Sequence, residues 1–231
     1  MTDRYLTETP TCNHTHPAIK ETLASILADG ASLADDVDKA RRIFFHARDA
    51  IRFALMGSGG SFTASKTAAT GYGDCGSKTN YQMALLRAAG IPTRMRGIKA
   101  DFSVLKGVVP SWISALSERF YPEDFHFWPE CYLTGRWLSC EGLFDKPLYE
   151  GALRAGLITR NQIPTIDWDG ETSLVLLGPW TTQDLGHEPG WEEWQVEFKK
   201  AMPTPGWVDR LMDRYLAPSC RRKSDSVRGT A

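Results

Sequence analysis

A cysteine set between glycines at the start of a predicted helix is a reactive arrangement, and Cys75 occupies one in GYGDCGSKTNYQMALLRAAGIP. Gly73 and Gly76 let the backbone approach a bound molecule closely. Asp74 is the expected N-cap, which places Cys75 in the first helical turn. There, unpaired N–H groups and the positive end of the helix dipole favour a thiolate. The same N–H groups can receive the oxyanion that develops in acyl transfer. The competing reading is a small core residue, because free cysteines are commonly buried. The helix start and the Gly-, Ser- and Thr-rich approach to it favour the reactive one.

A base is needed beside such a thiol, and FHFWPECYLTGRWLSCEG offers one. This string reads as a β-hairpin about Thr134-Gly135. With a two-residue turn, Leu133 pairs with Arg136 and Trp128 lies opposite Glu141. His126 shares the Trp128 face, so His126 and Glu141 become diagonal neighbours, roughly 7 Å apart between backbones. A carboxylate so placed can hold one imidazole nitrogen and leave the other for a thiol. Pro129 withholds one ladder donor, which makes an edge or a bulge the alternative. A half-exposed histidine with a chance acidic neighbour fits the hairpin equally well.

Together, a nucleophile, a base and an orienting carboxylate form a complete set. The strings GDCGSKTNYQMALLRAAGIPTRMRG and HFWPECYLTGRWLSCEGLFD resemble the transglutaminase-like superfamily over about residues 65–145. The resemblance implies a papain-like core with Cys75 as nucleophile and His126 as base. Glu141 stands where the family usually has aspartate, and Asp145 is a second possible orienter. It further implies acyl transfer through a thioester, as an amidase, a peptidase or an amide-forming acyltransferase. An inactive binding module on the same fold is the rival, supported by the Glu141 exchange.

Other residues qualify the site. Arg94 and Arg96, with Lys99, alternate along one strand face and suit an anionic substrate or a solvated stripe. Trp128 is the expected apolar contact, in a stretch rich in aromatic rings. Glu130 shares the His126 face and is expected to pair with Arg94 or Arg96. Cys12, His14 and His16 alternate as zinc ligands would, though a fourth ligand is missing and no metal or other cofactor is expected.

These side chains must be carried by a suitable scaffold. Helices are predicted over Pro17–Ala28, from Ser32 through Ile51 with an apolar stripe at Val37, Ala40, Ile43, Phe44 and Ala47, and over Cys75–Ala89. Strands are expected at Arg94–Ala100, in the hairpin, and at Ser173–Leu177, with later helices at Trp191–Ala201 and Trp207–Leu216. Met56–Asp74 reads as one long loop, and Phe102–Asp124 as irregular. The expected fold is α+β, a papain/transglutaminase-like core with N-terminal helices packed on an antiparallel sheet. One domain spans 1–217, with a tail at 218–231.

Composition bounds the partners. The 231 residues carry a net charge of −1, with no basic excess for nucleic acid. No apolar run reaches membrane-spanning length. Five cysteines at irregular spacing argue against a disulfide scaffold and point to a reducing, cytoplasmic setting. The expected partner is a small-molecule or peptide substrate, without calcium.

Overall fold

Helix α4 (Cys75–Ala88) runs through the middle of the protein, and every residue from Gly76 to Arg87 is buried. A helix enclosed on all sides needs internal partners for its polar residues. The computed structural model describes residues 3–28, 35–53, 62–101, 125–187, 190–191 and 195–197, and it shows those partners. Asp74 and Ser77 form a reciprocal capping box. Lys78 Nζ donates to the carbonyls of Arg48 (3.0 Å) and Ile51 at the end of α2 (Asp36–Ala50). Arg87 donates to Thr93 O (2.9 Å) and Thr7 O (3.0 Å).

Three helices pack around α4: α1 (Pro17–Ile26), α2 and α3 (Ala64–Thr70). The expected α2 stripe is buried at Ala40, Ile43, Phe44 and Ala47. The cap of α2 is Asp35 rather than Ser32, which lies outside the described residues. On the other side of α4 lies a sheet with strand order β5-β4-β3-β6. Its strands are β3 (Thr93–Ala100), β4 (Phe125–Leu133), β5 (Arg136–Ser139) and β6 (Thr181–Gly186). All neighbours are antiparallel. The fold is α+β, as expected, with α4 lying between the N-terminal helices and this antiparallel sheet.

Helix α4 and strand β4 run in step. Cys75 Sγ lies 3.9 Å from Phe125 O, and Thr79 Oγ1 donates to Phe127 O at 3.1 Å. Four helical residues rise ~6 Å and two strand residues ~6.7 Å, so the two elements stay aligned over a turn. This phasing brings the start of α4 to the start of β4, beside His126.

The hairpin has the anticipated register, with Leu133 opposite Arg136 and Glu130 opposite Ser139. Thr134 (φ 49°) and Gly135 (φ 84°) both take positive φ, as a type I′ turn requires. Pro129 produces no edge, since β4 is central. It acts at the next pairing position instead. Cys140 N donates to Pro129 O (3.0 Å), but Pro129 has no N–H to return to Cys140 O. Gln82 Nε2, from α4, bonds that carbonyl at 2.8 Å. The ladder therefore ends where the chain must turn aside to present Glu141.

Elsewhere the structure departs from expectation. Within Met56–Asp74, Ala64–Thr70 is helix α3, and β2 (Tyr72–Gly73) pairs in parallel with β1 (Arg52–Phe53); residues 54–61 lie outside the described set. Three alanines and a lysine in ASKTAAT outweigh its hydroxyl residues. Ser173–Leu177 forms no strand but one parallel bridge, Leu174 to Cys140. Helix α5 (Lys146–Arg154) follows the hairpin and was not anticipated. Trp191 and residues 195–197 are helical. The remainder of that predicted helix, Phe102–Asp124, Trp207–Leu216 and the tail at 218–231 lie outside the described residues. No helix among the described residues is long and apolar enough to cross a membrane.

Candidate active site

Cys75 is half-buried at the first position of α4. The capping box engages the N–H groups of Asp74 and Ser77 at 2.9 Å each, and those of Cys75 and Gly76 take no part in it. A capping box of this kind stabilises the helix start by ~1 kcal/mol and fixes its entry angle. It thereby sets the direction in which the Cys75 N–H points.

His126 is fully buried on β4. Its Nε2 lies 2.7 Å from Glu141 Oε1, so the two residues meet as the hairpin register requires. Glu141 is itself held twice more. Its Oε2 accepts from Leu176 N at 2.6 Å, and its backbone N–H donates to Leu174 O at 3.2 Å. The segment after α5 thus clamps the carboxylate, a contact that no local pattern announces.

The electrostatics follow from this geometry. Burial by itself would lower the imidazole pKa. The Glu141 charge and the nearby Cys75 thiol oppose it, and the result is a pKa raised to about 10. His126 is therefore an imidazolium at neutral pH. With Nε2 committed to Glu141, Nδ1 is buried, with the Cys75 thiol nearby and no partner in full hydrogen-bond geometry among the described residues. A thiol–imidazole bond of this kind commonly tightens only when substrate binds.

Asp145, the other possible orienter, has a different position. It is the N-cap of α5, accepting from Leu148 N (3.2 Å), and its second oxygen accepts from Phe53 N (3.0 Å). Both oxygens are committed to backbone, and the carboxylate on His126 is Glu141.

The expected substrate contacts form a layer behind the histidine. Arg94 Nε pairs with Glu130 at 2.6 Å and stacks over Trp137, its carbon 4.2 Å from the ring centre. Arg96 reaches Glu130 at 3.5 Å and also pairs with Asp184. Trp128 is buried, donates to Ser139 Oγ at 3.0 Å and lies beside the His126 ring, centres 5.8 Å apart. Ser139 in turn donates to Glu130 (3.3 Å). Strand alternation placed these residues on the His126 face correctly. Glu130 and Asp184 supply counter-charges to Arg94 and Arg96, and the three side chains also brace β4.

The Cys12, His14 and His16 alternative fails on its donors. Cys12 is in the hydrophobic core, and His16 Nδ1 accepts from Ala18 N as the cap of α1. Among the described residues no three potential ligands cluster for a metal.

Comparison with known proteins places this geometry in context. No curated protein matches the chain. Among solved structures, one named "Putative Cysteine Protease from Cytophaga hutchinsonii" aligns with 20% identity and a TM-score of 0.45, covering 61% of this chain and 41% of that one. Residues 25–142, just over half of the chain, match the transglutaminase-like superfamily, a span reaching from α1 to the residue after Glu141. The chain belongs to the transglutaminase-like superfamily.

Proposed function

We propose that this protein catalyses acyl transfer through a thioester on Cys75, as an amidase or peptidase or as an amide-forming acyltransferase. The observation carrying this reading is the placement of Cys75 at a helix start beside His126, whose far nitrogen is held by Glu141. The Cys75 sulfur attacks the carbonyl carbon of an amide, ester or thioester, and the carbonyl electron pair moves to oxygen. The Cys75 N–H, at the positive end of α4, receives that oxyanion. Collapse expels the leaving group, which takes the proton from His126 Nδ1. Water or an amine then attacks the thioester carbon while His126 Nδ1 accepts its proton, and the Cys75 sulfur leaves as thiolate, restoring the starting ion pair.

Glu141 in contact with His126 favours retained chemistry over an inactive fold. A glutamate is one methylene longer than aspartate, and here that length spans from His126 to Leu176 N. The buried Cys12, Cys131 and Cys140 are thiols outside any disulfide, which fits a reducing, cytoplasmic setting. The expected partner is a small-molecule or peptide substrate.

The test is a panel of amide and thioester donors, scored by release of amine or thiol with the wild type and with Cys75→Ala. The proposal expects release by the wild type and none above background by the variant. Equal release by Cys75→Ala would refute it.

A further inference from the structure

Asn80 lies on α4 one turn below Gly76, fully buried, with its Oδ1 lacking a hydrogen-bond partner among the described residues. A buried amide with an orphaned oxygen is a cost that its other bonds must offset. Those bonds go to two distant parts of the chain. Asn80 Nδ2 donates to Phe62 O at 2.9 Å and to Gln195 Oε1 at 2.7 Å. Gln195, also fully buried, donates from Nε2 to Met95 Sδ at 3.4 Å.

Both parts close on the residue after the nucleophile. A Cβ at Gly76 would stand 2.9 Å from the Phe62 ring and 3.1 Å from Gln195 Nε2. Trp191, four residues before Gln195, fills the space a Cβ would take at Gly97, at 3.1 Å, and packs edge-on against Phe127. Phe62 and Trp191 are half-buried, as Cys75 is. Gly76 and Gly97 are therefore the two places where side chains from residues 62 and 191–195 press onto the nucleophile helix and its neighbouring strand.

We propose that Asn80 and Gln195 are positioning residues: they hold Phe62 and Trp191 as aromatic walls beside Cys75, and these walls select donors with an apolar or aromatic group next to the reacting carbonyl. The inference rests on the acyl-transfer reading for the identity of the nucleophile. It makes no change to the Cys75, His126 and Glu141 set, which Asn80 and Gln195 do not touch.

Two alkylating probes separate the walls from the nucleophile. Iodoacetamide is small enough to need no wall. Benzyloxycarbonyl-phenylalanyl chloromethyl ketone carries an aromatic group beside a ketone; Cys75 Sγ displaces chloride from its methylene carbon, and chloride leaves with the electron pair. Rates at Cys75 are read by intact mass and peptide mapping for the wild type, Asn80→Leu and Gln195→Met. The expected result is an iodoacetamide rate and pH profile within twofold of wild type in both variants, with the chloromethyl ketone rate at least tenfold lower. Parallel loss with both probes, or no loss with either, overturns the positioning role. If Asn80→Leu does not fold, Gln195→Met and Asn80→Asp carry the same comparison, the latter having no N–H for Phe62 O. A wild-type Cys75 inert to both probes would instead refute the acyl-transfer reading itself.

Discussion

Replacing Glu141 by Gln keeps the reach of the side chain and removes its charge, which makes it the sharpest probe of the electrostatic claim. In the wild type, burial pulls the His126 pKa down and the Glu141 carboxylate leads the groups that bring it to about 10. Without that charge, burial dominates and the pKa falls to the ordinary ~6.5 or lower. A fall of about 3.5 pK units or more is worth ~5 kcal/mol of preference for the imidazolium. At pH 7.5 the protonated fraction then drops from nearly complete to ~0.1 or less. Acyl transfer should fall by ~10²–10⁴, the range over which loss of an orienting carboxylate is felt in comparable triads. Iodoacetamide alkylation of Cys75 at pH 7.5 should fall at least tenfold. Glu141→Asp keeps the charge and shortens the reach by ~1.5 Å, one carbon–carbon bond. Bonds of 2.7 Å to His126 and 2.6 Å to Leu176 N cannot both survive that withdrawal. An intermediate loss, ~3- to 30-fold, is expected. The measurement is the second-order alkylation rate from pH 5 to 10. A Gln variant with an unchanged profile, or an Asp variant as fast as wild type, would refute the reasoning.

Further predictions concern the surrounding groups. Asp145→Ala removes the α5 cap and the bond to Phe53 N; urea unfolding should show a loss of ~1–3 kcal/mol, while Cys75 alkylation stays within twofold. Lys78 and His126 should impose opposite pH dependences on stability. His126 has a folded pKa above its unfolded value, so its contribution is full below ~6.5 and is lost as pH rises towards about 10. Lys78 is pushed down to about 7, mainly by burial against the opposing charges of Asp145 and Asp49. The folded state then binds fewer protons there than the unfolded chain, and stability rises between about 7 and ~10.5. The two slopes nearly cancel from pH 7.5 to 9.5. Lys78→Met should expose the His126 slope, a steeper loss of up to ~1.4 kcal/mol per pH unit in urea unfolding relative to wild type. Parallel curves for the two proteins would contradict both assignments.

The elements of the candidate site were legible because they rest on short-range rules. The Thr134-Gly135 turn fixes the hairpin register, and the register brings His126 to Glu141. Asp74 and the glycines fix the start of α4. Less was legible where polar residues are buried by the whole fold. Ser77, Lys78, Thr79, Asn80 and Gln82 give α4 no apolar stripe, and their partners lie on α2, β4 and the chain near residues 62, 140 and 195. The clamp of Leu174 and Leu176 on Glu141 crosses more than thirty residues, so no spacing argument reaches it. Glu130 was the one counter-charge in view for Arg94 and Arg96; Asp184 arrives on β6, an edge strand the pattern did not show. Pro129 was read as a disturbance of its own strand. Its effect is on Cys140, directly opposite, where the missing donor lets the chain leave the ladder with Glu141 in place.

The most direct test of covalent catalysis is intact-mass spectrometry of the protein quenched in acid during turnover of amide and thioester donors. The expected result is a stoichiometric mass increase equal to the acyl group, mapped to Cys75, absent from Cys75→Ala and discharged by water or an added amine. Steady turnover with no adduct on Cys75, and with the same rate in Cys75→Ala, would contradict it.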